Sequence, residues 1–321
     1  MATRGTRRPA GPAHGRGGRA VPAPAAAPQA RAVVRLGSAI GNRAMARQVL
    51  ARDPAPSAAD LAAKSDWKGL AAKLNGSSWD DAADAVNRLT GEQQGKVHEA
   101  AVAVKGGAKS QAARLTTPIL TALQAKFRSP AMMLREVPEA VALAVEADAA
   151  GVSFGGYSEE GPGKDRVGSW PYTDPDTRAV YVPKAEQDPG EGMASFVFEL
   201  NNALHTPQVQ AVHAEAKAGK LTAKEYARRL ITLEVEGVLR TGGIWAAHRK
   251  RNPKSKLLEG YDSAFFLKHY QAVAGGKKTK AKLIEETAAG RYSGGLKRGT
   301  TVESYYVEQF EALYGKQKAA K

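Results

Sequence analysis

The residues best suited to chemistry lie in one string, Ser195-Phe-Val-Phe-Glu199-Leu-Asn201-Asn202-Ala-Leu-His205. At the helical repeat, Phe196, Leu200, Ala203 and Leu204 make an apolar face, and Ser195, Glu199, Asn202 and Thr206 make a polar stripe opposite it. A glutamate and an asparagine three residues apart can act jointly on one substrate; a partly exposed polar stripe is the plainer alternative. Farther along, Glu234 and Glu236 flank the packing side of a second helix. If Glu199 faces either of them across a cleft, two carboxyls with separated pKa values can divide acid and base work. Ordinary surface glutamates remain the alternative. The candidate catalytic set is Glu199, Asn202, His205 and Glu234.

A strand, a turn and a glutamate-bearing helix also open the active site of a zinc metallopeptidase. In its His-Glu-x-x-His motif two histidines one turn apart bind the metal and the glutamate polarises water. Glu199 is in register with that glutamate, but Phe198 and Asn202 stand where the histidines belong. The segment resembles a zincin helix in layout only, because phenylalanine cannot bind zinc. His205 and His213, with Glu199 or Glu215, make a poor metal set, since Pro207 is expected to end the helix between them. No metal and no cofactor is implied. The chain has no cysteine, which excludes disulfides, thiolate nucleophiles and cysteine-ligated metals. Nothing marks a serine nucleophile elbow.

The elements that must position these residues begin at Gly151, where the composition turns rich in glycine and aromatics and reads as loops with a hairpin. Arg178-Ala-Val-Tyr-Val182, closed by Pro183, is the best strand in the chain, and Asp188-Pro189-Gly190 turns it into the helix of Glu199. Thr222-x-x-Glu225 is a capping box that opens the next helix, with Tyr226, Leu230, Leu233 and Gly237 along its packing side. The string from His248 to Lys256 reads as a basic loop that either binds phosphate or stays solvated. Tyr261, Phe265, Phe266, His269 and Tyr270 are spaced for a buried helix.

Upstream, Ser57-x-x-Asp60 starts the first packed element. Trp67, Leu70 and Leu74, then Val86 and Leu89, then Val97, Ala101 and Val104 predict helical hairpins with short turns. Two longer helices, over 110–127 and 130–150, connect these hairpins to the last region, with Ser129-Pro130 as the break.

The net charge of +15 is unevenly placed: residues 1–52 hold ten arginines and no acidic residue. Residues 1–35 are Arg-, Pro-, Gly- and Ala-rich and predict a disordered basic arm, which cannot bury enough apolar surface to fold. From Asn42, a good N-cap, Met45, Ala46, Val49 and Leu50 fall on one arc with Arg43 and Arg47 beside it, predicting a short amphipathic helix within 36–52. No run is long and apolar enough for a transmembrane helix, and no apolar core follows the Arg-rich start as in a secretory signal.

The string Leu36-Gly-Ser-Ala-Ile-Gly41-Asn42-Arg43-Ala-Met-Ala46-Arg47, continued by Leu50-Ala-Arg52, resembles the leader of cargo and toxin proteins of bacterial extracellular contractile injection systems. Asp66-Trp67 to Leu74-Asn75-Gly76, Thr90-Gly-Glu-Gln-Gln94 and His98-Glu-Ala-Ala101 resemble the helical module that accompanies that leader. The resemblance implies a loading leader at Gly41, Asn42, Arg43, Ala46, Arg47, Leu50 and Arg52. It also implies particle components, the inner tube or baseplate, as partners. The expected protein is mainly α: a disordered arm (1–35), the leader helix (36–52), a helical adaptor module (57–105), connecting helices (109–150) and an α+β effector region (151–321) with one or two short strands. It is expected to be made in the bacterial cytoplasm, loaded into a particle and delivered as a toxin of unknown activity. A non-enzymatic cargo or structural component is the alternative, and a nucleic-acid-binding protein using its basic ends is a second one.

Overall fold

The computed structural model describes residues 55–162, 171–184, 189–255, 261–290 and 300–318. The expected arm and leader, with Gly41, Asn42, Arg43, Ala46, Arg47, Leu50 and Arg52, lie outside the described residues. Ser57 starts α1 (Ala58–Ala63) with the capping box its spacing predicts: its hydroxyl accepts from the Asp60 amide, and the Asp60 carboxylate accepts from the Ser57 amide. Then come α2 (Trp67–Gly76), α3 (Trp79–Asn87) and α4 (Gly91–Val102), capped by Asp66, Ser78 and Thr90. Leu70, Leu74, Val86, Leu89, Val97 and Ala101 are buried together, as expected. Trp67 is half-buried. Val104, past the end of α4, is exposed.

The two connecting helices are in fact four: α5 (Gln111–Leu115), α6 (Pro118–Lys126), α7 (Arg128–Arg135) and α8 (Pro138–Ala149). Proline sets two of the three breaks. Pro118 and Pro138 open their helices, where no backbone N–H is needed, and push the preceding residue out of helical backbone. Thr117 accordingly has φ −53°, ψ 141° and Val137 φ −113°, ψ 90°. Pro130 is not a break. It sits in the first turn of α7, where its missing donor has no intrahelical partner to lose.

The end of α5 leaves a carbonyl to satisfy, and Arg135, fully buried, donates to it and to three side-chain amide oxygens. Its Nε donates to the Leu115 carbonyl at the end of α5 (2.8 Å). Its Nη atoms donate to Asn87 Oδ1 (3.1 Å), Gln94 Oε1 (2.9 Å) and Gln124 Oε1. No carboxylate pairs with it among the described residues, and burial draws its pKa down to about 10.

Three short strands follow, where one or two were expected: β1 (Ser153–Tyr157), β2 (Tyr172–Asp174) and β3 (Ala179–Val182). The sheet order is β1-β3-β2, with β1 parallel and β2 antiparallel to β3. A Cβ on Gly155 would fall 2.3 Å from the Tyr181 ring. The glycine that makes β1 read as a loop therefore gives Tyr181 its place, where it stacks on Tyr172 at 4.8 Å.

β3 packs on α9 (Pro189–Lys217), which runs on through Pro207. An interior proline costs a helix about 3 kcal/mol. Burial on both sides of it offsets that, with Phe196, Leu200 and Ala203 before and Val212 and Ala216 after. α10 (Ala223–Arg251) opens on the Thr222–Glu225 capping box. It also runs longer than expected: residues 248–251, read as loop, are its last turn.

The reason for Gly242 is close helix packing. A Cβ there would meet the Phe266 carbonyl oxygen of α11 (Tyr261–Ala274) at 2.3 Å, whereas at Gly243 the nearest atom is the Tyr270 ring at 3.2 Å. Gly242→Ala is therefore expected to cost at least about 2 kcal/mol in urea denaturation, because backbone cannot yield, and Gly243→Ala distinctly less.

α12 (Lys280–Ala289) and α13 (Val302–Lys318) pack against α10. The described residues from 56 onward form one compact unit whose main core runs from Leu61 to Leu267. Smaller clusters join Val212, Tyr226 and Phe310, and Val235, Leu283 and Val302. Among the described residues no helix is long and apolar enough to cross a membrane.

Candidate functional site

The stripe on α9 faces inward. Glu199 is 6% exposed and Thr206 2%, while Asn202 is half-buried. Glu199 Oε2 lies 2.8 Å from Thr173 Oγ1 on β2 and 3.2 Å from Asn202 Nδ2, which donates to it. Thr173 Oγ1 also lies 2.9 Å from the Glu199 carbonyl oxygen. One hydroxyl hydrogen cannot serve both acceptors at once. The threonine donor is therefore divided between the carboxyl and carbonyl oxygens of Glu199, which leaves the buried carboxyl only weakly solvated.

The electrostatics agree. Burial pushes the Glu199 pKa up to about 7, against the pull of the Thr173 and Asn202 hydrogen bonds, and the nearby carboxyl of Glu234 adds to the rise. Glu234, on α10, is likewise raised by burial and is held by the Tyr306 hydroxyl of α13, which donates to its Oε1. Two acids on packed helices thus share one polar seam, each tied to a different neighbouring element.

The seam is close because Gly237 has no side chain. A Cβ there would meet the Phe198 ring at 3.2 Å and Asn202 Oδ1 at 3.5 Å. Beside it, Asn201 Nδ2 donates to the Val197 carbonyl and to Thr241 Oγ1, both at 3.0 Å.

His205 lies one turn beyond Asn202, with Nε2 4.0 Å from Glu236 Oε2. Glu236 in turn pairs with Lys280 of α12. The His205 pKa is lowered, mainly by burial. The structure therefore joins Glu199, Asn202 and Glu234 in one group and sets His205 in a second, with Glu236 and Lys280.

The zincin-like layout ends in packing. Phe198 stacks on Phe266 at 5.2 Å, and Asn202 serves Glu199. Although α9 carries both histidines on one unbroken helix, His213 turns to Tyr314 and Tyr226 and His205 to Glu236. Among the described residues no group of three or more histidines and acids could hold a metal ion. Two shallow clefts of about 340 and 410 Å³ open elsewhere, one between α10 and α11 and one beside Trp67.

Thr173 and Tyr306 are the partners that sequence reasoning misses. They stand 26 and 72 residues from the acids they touch, with no local motif around either. No family model, curated protein or solved structure matches this chain.

Proposed function

We propose that this chain is a cargo of a bacterial extracellular contractile injection system, loaded through its leader at residues 36–52 and carrying an effector region from residue 151 onward. The observation that carries the reading is order. A Gly41-Asn42-Arg43 leader precedes a Trp67…Leu74-Asn75-Gly76…Thr90…Gln94 module, in the sequence the cargo resemblance implies. Particle components are the proposed loading partners. Fusing residues 36–52 to an unrelated fluorescent protein tests whether the leader suffices. The reporter is expected to co-purify with particles and to resist external protease there; a reporter absent from particles counts against loading by this segment.

For the effector region we propose acid–base chemistry at the α9–α10 seam. Glu199, with its pKa raised to about 7, is the proton donor, Glu234 is its partner carboxyl and Asn202 holds the Glu199 carboxyl, while His205 stands apart with Glu236. The support is a pair of displaced pKa values on facing helices. Full-length Glu199→Gln, delivered to susceptible cells, is expected to lose at least about a hundredfold in toxicity. Undiminished toxicity from a folded variant would move the pair to a purely structural role.

A further inference from the structure

The strongest unassigned feature is the cleft of about 340 Å³ between α10 and α11. Arg249 from the last turn of α10, Lys268 from α11 and Lys277 from the turn after it line the cleft over Leu267 and Ala272, with Gln271 beside them. All three cations are exposed. Among the described residues no acidic side chain lines the cleft, and none of the three forms an ion pair. Nearby cations are treated differently: Arg251 is paired with Glu139 and Lys278 with Glu286. The three cations on the rim of the cleft are thus without a counter-charge among the described residues.

That arrangement has a cost which an anion would remove. Like charges converging on one concavity repel, and they raise the local concentration of any diffusing anion. Lysine and arginine bind phosphate oxygens by charge-assisted hydrogen bonds, and Gln271 can donate one more. The apolar floor of Leu267 and Ala272 suits an uncharged portion of the same ligand. A cleft of this size falls at the small end of sites for organic ligands.

We propose that the α10–α11 cleft binds a phosphate ester of nucleotide size through Arg249, Lys268 and Lys277. The site is separate from the acid seam, so it stands whether or not Glu199 is catalytic. Such a ligand can come free, as a nucleotide, or as part of a nucleic-acid backbone. The full-length protein is titrated by calorimetry with ATP, with inorganic triphosphate and with a short single-stranded oligonucleotide, before and after the triple change Arg249→Gln, Lys268→Gln, Lys277→Gln. A control of equal charge loss changes the exposed Lys64, Lys105 and Lys109 to glutamine.

The cleft variant is expected to weaken ATP binding about tenfold or more while the control does not, and binding is expected to fall as salt is raised. Triphosphate binding as tight as ATP binding would support a site that reads only the phosphates. Oligonucleotide binding lost in the cleft variant alone would support the same phosphate chemistry with nucleic acid as its source. Absence of ATP, triphosphate and cleft-dependent oligonucleotide binding would overturn the proposal, as would an equal loss in both variants.

Discussion

Replacing Glu199 with glutamine is expected to stabilise the protein by about 3 kcal/mol at pH 8 and by almost nothing at pH 4. The sign follows from the direction of the shift. Unfolded, this carboxyl titrates near its ordinary 4.5; folded, burial holds it at about 7. Between those values the native state binds the extra proton, so stability is full below about pH 4.5, falls as the pH rises through 7 and levels off above. Glutamine has the shape of the protonated acid and can accept from Asn202, but it has no charge to desolvate. Urea denaturation from pH 4 to 8.5 checks this, and the gap between variant and parent must widen with pH. A constant gap would mean that Glu199 titrates alike in the folded and unfolded states, with no rise in its pKa on burial.

This experiment also bears on function. Active sites commonly carry groups whose neutral isosteres would be more stable, so stability and toxicity of the variant are read together. A Glu199→Gln protein that is more stable and non-toxic fits a proton donor. One that is more stable and fully toxic fits a packing residue.

Arg135→Ala is expected to be the most damaging single change in the first helical region, at about 4 kcal/mol, with Arg135→Met about half as costly. Gln94 Oε1 keeps a hydrogen bond from Thr121, and Gln124 Oε1 keeps one from Gln94. The Leu115 carbonyl and Asn87 Oδ1 lose the arginine donors that α7 brings to them. Both substitutions orphan those acceptors, and alanine adds a cavity that methionine largely fills. Since the arginine has no carboxylate to leave behind, its loss strands no counter-charge, which keeps the cost below that of breaking a buried ion pair. Urea denaturation at pH 7 measures both. Equal costs would show that packing contributes nothing at this site.

Local chemistry in the chain is legible where a signal lies within a few residues. The capping boxes at Ser57 and Thr222, the apolar repeat of Leu70, Leu74 and Val86, and the strand at Ala179–Val182 all form as their spacing predicts. What is not legible is settled at a distance. Pro207 reads as a helix end and is carried through because α9 is buried on both sides of it. Gly155 reads as loop, yet it is small because the Tyr181 ring passes close by, and Gly242 likewise makes room for the backbone of α11. Helical periodicity offers Glu199, Glu234 and Glu236 as candidates without choosing the pair, while Thr173 and Tyr306, which hydrogen-bond to the two acids, come from elements that no local pattern links to them. Arg135 is hardest of all, since a lone arginine in a short helix ordinarily points to water.

The proposed role rests on the leader, and the direct test is its necessity. Particles are purified from cells producing either the full chain or the chain lacking residues 36–52, and the cargo is quantified per particle. The intact chain is expected inside the particles and the shortened one is expected to be absent from them at equal expression. Equal loading of the two chains would contradict the account.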